Sequence, residues 1–144
     1  MKRRHAMNKT VSQSLVFLVL LLSYVVGSLA QDTNLDRNKA KIVLRVYQLT
    51  YGADEMCKRY SPEKSSQVSA EVMKFKKMYP ELMNLVENSP YFDQVKKQMS
   101  QLIDSMSNTP QYADCPALLY MLHQFTESES GKEGIKDIVA QLKK

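Results

Sequence analysis

Apolar residues recur every three or four positions along nearly the whole stretch from Asp32 to Lys144, and no run alternates with period two over a strand's length. A chain patterned this way hides its apolar surface by packing helix against helix. No Asn-Gly or Asp-Gly hairpin signal interrupts the pattern. The expected class is therefore all-α.

Prolines and small polar residues divide the pattern. Thr33-Asn34-Leu35-Asp36 has the Ser/Thr-x-x-acid form of a helix start. Leu35, Ile42, Val46, Leu49, Ala53, Met56, Cys57 and Tyr60 then fall on one side of a first helix that Ser61-Pro62 closes. Pro62 also opens the second, with Ser61 as its expected cap. The second stripe is Val68, Val72, Phe75, Tyr79, Leu82, Met83 and Val86, and it keeps phase across Pro80, so a kink is expected there. Asn88-Ser89-Pro90 opens a third helix bearing Phe92, Val95, Met99, Leu102, Ile103 and Met106, which Asn108-Thr109-Pro110 ends. Asp114-Cys115-Pro116 opens a fourth with Leu118, Leu119, Leu122 and Phe125. Residues 127–134 read as a polar turn containing two glycines, before a short last helix with Ile135, Ile138, Val139 and Leu142. Short polar connections make successive helices antiparallel neighbours. The expected architecture is an up-down-up-down bundle of four main helices plus a short C-terminal helix.

The first thirty residues obey a different grammar. Lys2, Arg3, Arg4 and Lys9 precede an apolar run from Leu15 to Val26, and Ser28-Leu29-Ala30 places small residues where a signal peptidase needs them. This is the pattern of a secretory signal cleaved after Ala30, and the run is too short and interrupted for a membrane anchor. Met7 opens a shorter signal of the same design. Residues 1–30 are thus expected to be a cleaved signal and 31–144 a single helical domain.

Removing the signal changes the charge. The whole chain carries 20 Lys and Arg against 15 Asp and Glu, a formal charge of +5. All 15 acids lie after residue 30 and four bases lie before it, so the remainder stands at 16 − 15 = +1. Net charge then gives no reason to expect nucleic acid as a partner. No Cys stands just after the cleavage site, and no Asn-x-Ser/Thr sequon lies in 31–144. The expected location is periplasmic or secreted, with no stable membrane anchor after cleavage.

Cys57 lies near the C-terminal end of the first helix and Cys115 at the start of the fourth, which in an up-down-up-down bundle brings them to the same end. In an oxidising compartment they are expected to form one disulfide. No Cys-x-x-Cys motif accompanies them.

Motifs for chemistry are sparse. His123 is the one histidine after residue 30, and no metal-ligand spacing or Gly-rich phosphate loop appears. Neither a metal nor a cofactor is expected. Asp54 and Glu55 are adjacent and diverge by about 100° on a helix, so they cannot flank one bond. Lys74, Lys76 and Lys77 form the densest basic cluster but project in different directions, with Glu71 and Glu81 flanking them.

A second line on the first helix is less easily dismissed. Ala40, Leu44, Tyr47 and Tyr51 are spaced 4, 3 and 4 and point well away from the main stripe. Either the last helix or residues 108–116 cover this line, or it is an exposed aromatic patch for a partner or a second copy. The seven methionines after residue 30 suit a core, or a cavity for an apolar ligand. The function expected is non-enzymatic protein–protein contact, as an inhibitor, immunity-type protein or chaperone would use. A periplasmic carrier of an apolar small molecule or lipid is the alternative, and an enzyme built on carboxylates such as Glu55 or Glu87 is a third.

Overall fold

The computed structural model describes residues 34–106 and 114–144, and every regular element among them is helical. The signal segment, Thr33 and the side chains of Asn34 and Leu35 in the first helix start, and the Asn108-Thr109-Pro110 stop lie outside what is described. The elements are α1 (Asn34–Tyr47), a π-helical segment π1 (Gln48–Gly52), α2 (Ala53–Tyr60), α3 (Pro62–Met78), α4 (Pro80–Glu87), α5 (Phe92–Ser105), α6 (Cys115–Glu127) and α7 (Glu129–Leu142).

The expected single first helix is interrupted by π1. There the Ala53 N–H reaches back to Gln48 O, five residues away, so the chain has taken up one residue more than an α-turn holds. Thr50 is fully buried in this segment, and its hydroxyl donates to Val46 O at 2.7 Å. A buried hydroxyl satisfied in this way also bends a helix.

Pro80 does more than kink the second helix. Tyr79 leaves helical geometry altogether (φ −124°, ψ 56°), because a residue before proline is pushed out of the α region. The backbone is still stitched across the break, with the Tyr79 N–H on Phe75 O and the Met83 N–H on Tyr79 O, both at 3.0 Å. The Tyr79 hydroxyl donates to Phe125 O on α6. Val68, Val72 and Phe75 before the break, and Leu82, Met83 and Val86 after it, all reach the same core.

Caps follow the sequence unevenly. The Ser61 side chain makes no cap, and α5 begins at Phe92, two residues beyond the Ser-Pro pair. Asp114 does cap α6, its Oδ1 accepting from the Ala117 N–H at 3.0 Å. The polar stretch 127–134 is not a turn. Ser128 alone leaves the helix (φ −84°, ψ 143°), and its hydroxyl accepts from the Gly131 N–H at 3.0 Å. The last helix is therefore 14 residues long rather than short. Gly131 makes this tight corner possible, since a Cβ there would stand 2.1 Å from Gln124 O.

Cys57 and Cys115 form a disulfide, with Cα atoms 5.9 Å apart and both side chains fully buried. The bond ties the end of α2 to the first residue of α6 across 58 positions. From that end α3 and α6 run side by side in the same sense. Glu71 lies by His123, Phe75 by Phe125, and Lys74 pairs with Glu127.

The α1–π1–α2 rod lies at the centre, touching α3, α4, α5, α6 and α7. This decides the second line of the first helix. Ala40, Leu44 and Tyr47 are 1%, 0% and 5% exposed, so they are core and not an exposed patch. The covering comes from several sides because the rod is central, with Phe92 of α5 edge-on to Tyr47 at 5.6 Å. Tyr51 is the half-buried member of the four.

Candidate functional site

An open cleft of about 300 Å³ lies where π1 meets the turn between α4 and α5, lined by Tyr47, Tyr51, Glu87, Phe92 and Lys96. Its floor is three rings. Tyr47 and Tyr51 lie 5.3 Å apart and tilted by 33°, and Phe92 stands edge-on to both, at 5.6 and 5.9 Å. Edge-to-face packing of this kind adds to the burial of the rings. Tyr47 and Tyr51 are four residues apart and so share one face of the rod, Tyr47 ending α1 and Tyr51 lying in π1. Gly52 faces α5, where a Cβ would stand 3.2 Å from Met99 Cε, the flexible end of a side chain.

The rim is polar. The Tyr51 hydroxyl donates to Glu87 Oε1 at 2.5 Å, while the Lys76 ammonium sits 3.3 Å over the centre of the Tyr51 ring. Burial, then the hydrogen bond to Glu87 and its negative charge, push the Tyr51 phenol up to about 12. Burial holds the Lys76 ammonium below the ordinary lysine range, against the favourable charges of Glu87 and Asp54. Tyr47 is raised as well, by burial and by the charge of Glu55. Tyr51 is thus kept a neutral donor, fixed between a carboxylate and a cation. Lys96 completes the rim from the first turns of α5.

The remaining singled-out residues are dispersed. Asp54 and Glu55 diverge. Asp54 takes hydrogen bonds from Lys58 and Ser69, and Glu55 pairs with Arg59 at 3.3 Å. Burial acts to raise the Asp54 carboxyl, but those two hydrogen bonds outweigh it and hold it below the usual carboxylate range. The basic cluster separates as expected: Lys74 pairs with Glu127, Lys76 covers Tyr51 and Lys77 is exposed. His123 is half exposed, with Nδ1 3.8 Å from Glu71 Oε2. Met56, Met83, Met99 and Met106 are buried in the core, whereas Met73 and Met78 are exposed. Among the described residues no three His, Cys, Asp or Glu gather as a metal site, and no helix is long and apolar enough to cross a membrane.

Sequence reasoning found the tyrosines but not their company. Phe92 reads as a core position and Lys96 as a solvated charge, and no local signal marks either as a neighbour of Tyr51. Comparison of the chain with protein-family models, with curated proteins and with solved structures finds no match.

Proposed function

We propose that the chain is an exported, non-enzymatic protein that works by contact with another protein, and that the Tyr51 cleft is its contact surface. The observation that carries this reading is the cleft itself, where half-buried Tyr51 and Phe92 lie over the buried Tyr47 ring beside a polar rim. Aromatic side chains that bury area while keeping a polar edge wet are what protein interfaces favour, and a pocket takes an anchoring side chain well. Tyr51 keeps the role in recognition that the sequence suggested, while Ala40, Leu44 and Tyr47 support it from below.

Export is part of the same reading. Residues 1–30 act as the cleaved signal, and 31–144 reach the periplasm or the outside as a single domain. The buried disulfide supports this, because such bonds persist in oxidising compartments. We also read the helices as an up-down-up-down array with α7 as a fifth member. The shared sense of α3 and α6 supports that order, since the second and fourth helices of such an array run alike.

The test is site-specific photo-crosslinking in the host. A benzoylphenylalanine replacing Lys96 should trap a discrete partner in the envelope or medium, and the same probe replacing the exposed Tyr120 on α6 should not. A partner band at the Tyr120 position alone would move the contact surface to α6 and overturn the assignment. A band at twice the chain's mass from the Lys96 position identifies the partner as a second copy.

A further inference from the structure

We infer that Met73 is the oxidation site of the folded protein, where a peroxide converts the thioether to a surface sulfoxide open to repair while the core methionines stay reduced. The inference is independent of the Tyr51 cleft, which Met73 does not line.

Met73 lies off the stripe that holds α3 in the core. Val68, Val72 and Phe75 are buried, whereas Met73, one residue after Val72 and about 100° further round the helix, is 57% exposed. No other methionine among the described residues is so open. Met78 at the end of α3 is 38% exposed and Met121 is half-buried. Met56, Met83, Met99 and Met106 are at most 9% exposed. Access decides which of them reacts, because the sulfur must meet the oxidant. Its lone pair attacks one peroxide oxygen, and the S–O bond forms as the O–O bond breaks. The departing oxygen takes the proton and leaves as water or an alcohol, so the sulfur loses two electrons and the peroxide gains them. A buried thioether meets the oxidant only when the structure opens. The product is also tolerated unequally. At Met73 the polar sulfoxide stays in water, with Lys76 and Lys77 three and four positions on along the same face of α3. At Met83 or Met99 the same oxygen would press into the core.

Treating the native protein with hydrogen peroxide, then digesting it with trypsin for mass spectrometry, tests this. Cleavage after Lys64 and Lys74 leaves Met73 as the one methionine of peptide 65–74, and fragmentation locates the oxygen in the longer peptides. Met73 should gain one oxygen roughly tenfold faster than Met83 and Met99 in the folded chain, and at a similar rate in urea. The chain oxidised at Met73 alone should keep the thermal midpoint of the reduced one. The two methionine sulfoxide reductases, one for each epimer, should together restore peptide 65–74. Met73→Leu, confirmed as folded by circular dichroism, should slow the first uptake of oxygen to the rate of Met78. Core methionines that oxidise as fast as Met73 in the native chain overturn the inference, as does an undiminished first uptake in Met73→Leu. A fall in the thermal midpoint with the first oxygen at Met73, or a sulfoxide that the reductases leave in place, overturns the reading of a surface sulfoxide open to repair.

Discussion

The Tyr51 hydroxyl donates to the Glu87 carboxylate across 36 residues of sequence, joining the π segment to the end of α4. Burial together with this bond holds the phenol near 12 against an ordinary value of 10.0. Stability follows with a definite sign. Between those two values the folded chain keeps a proton that the unfolded chain releases, so this contribution is complete below pH 10 and is lost as the pH rises toward 12. Ultraviolet titration of tyrosinate absorbance should show Tyr51 ionising well above the ordinary tyrosine range. Glu87→Gln should bring that step down toward the ordinary range without abolishing the shift, since burial remains. An unchanged titration in the variant would remove Glu87 from the account.

Thr50 offers a check on the π segment that supports Tyr51. Its hydroxyl is buried and donates to Val46 O, so Thr50→Val keeps the shape and deletes the bond. A loss of about 1 kcal/mol is expected, the net worth of one buried hydrogen bond. Urea unfolding of the variant measures it. A gain in stability would mean that the hydroxyl is incidental to the widened turn.

The disulfide gives a larger effect. Closing a loop across 58 residues is worth about 4 kcal/mol on the chain-entropy account. The paired variant Cys57→Ala with Cys115→Ala should lose that much unfolding free energy in a denaturant titration, together with a smaller loss for the two buried sulfurs. Because both cysteines are fully buried, mild reductant should leave the native bond intact until the protein opens. Thiol labelling under native and denaturing conditions distinguishes these states.

How much of this was legible beforehand depends on what kind of information each feature carries. Helix class and core stripes are local and periodic, and Val68, Val72, Phe75, Leu82, Met83 and Val86 all reach the core as their spacing indicates. The pairing of Cys57 with Cys115 was legible from parity and from their places at the ends of two helices. The line of Ala40, Leu44 and Tyr47 was ambiguous because an apolar second face says that something covers it, not what does. Its burial follows from the central position of the first helix, a property of the whole packing. The π segment shifts register by a single residue, which a pattern of threes and fours absorbs without trace. The cleft was out of reach for the same reason as the burial. Glu87, Phe92 and Lys96 meet Tyr51 only once α4 and α5 have packed against the rod.

The clearest misreading concerns Gly131 and Gly134, and it yields the sharpest test. Both looked like the flexible part of a polar turn, yet both lie inside α7. Their surroundings differ completely. A Cβ at Gly131 would press on Gln124 O at 2.1 Å and on the backbone of Phe125 at 2.9 Å, atoms that cannot swing aside. At Gly134 a Cβ meets nothing within 4 Å. Gly131→Ala must therefore spread the α6–α7 corner, at a cost of about 1–3 kcal/mol by the usual scale of overpacking. Gly134→Ala should stabilise by about 0.5–1 kcal/mol, because alanine loses less backbone freedom in a helix. Thermal or urea unfolding of the two single variants should thus move in opposite directions. If both stabilise, residues 127–134 are the loose turn that their composition suggests, and α7 begins later than Glu129.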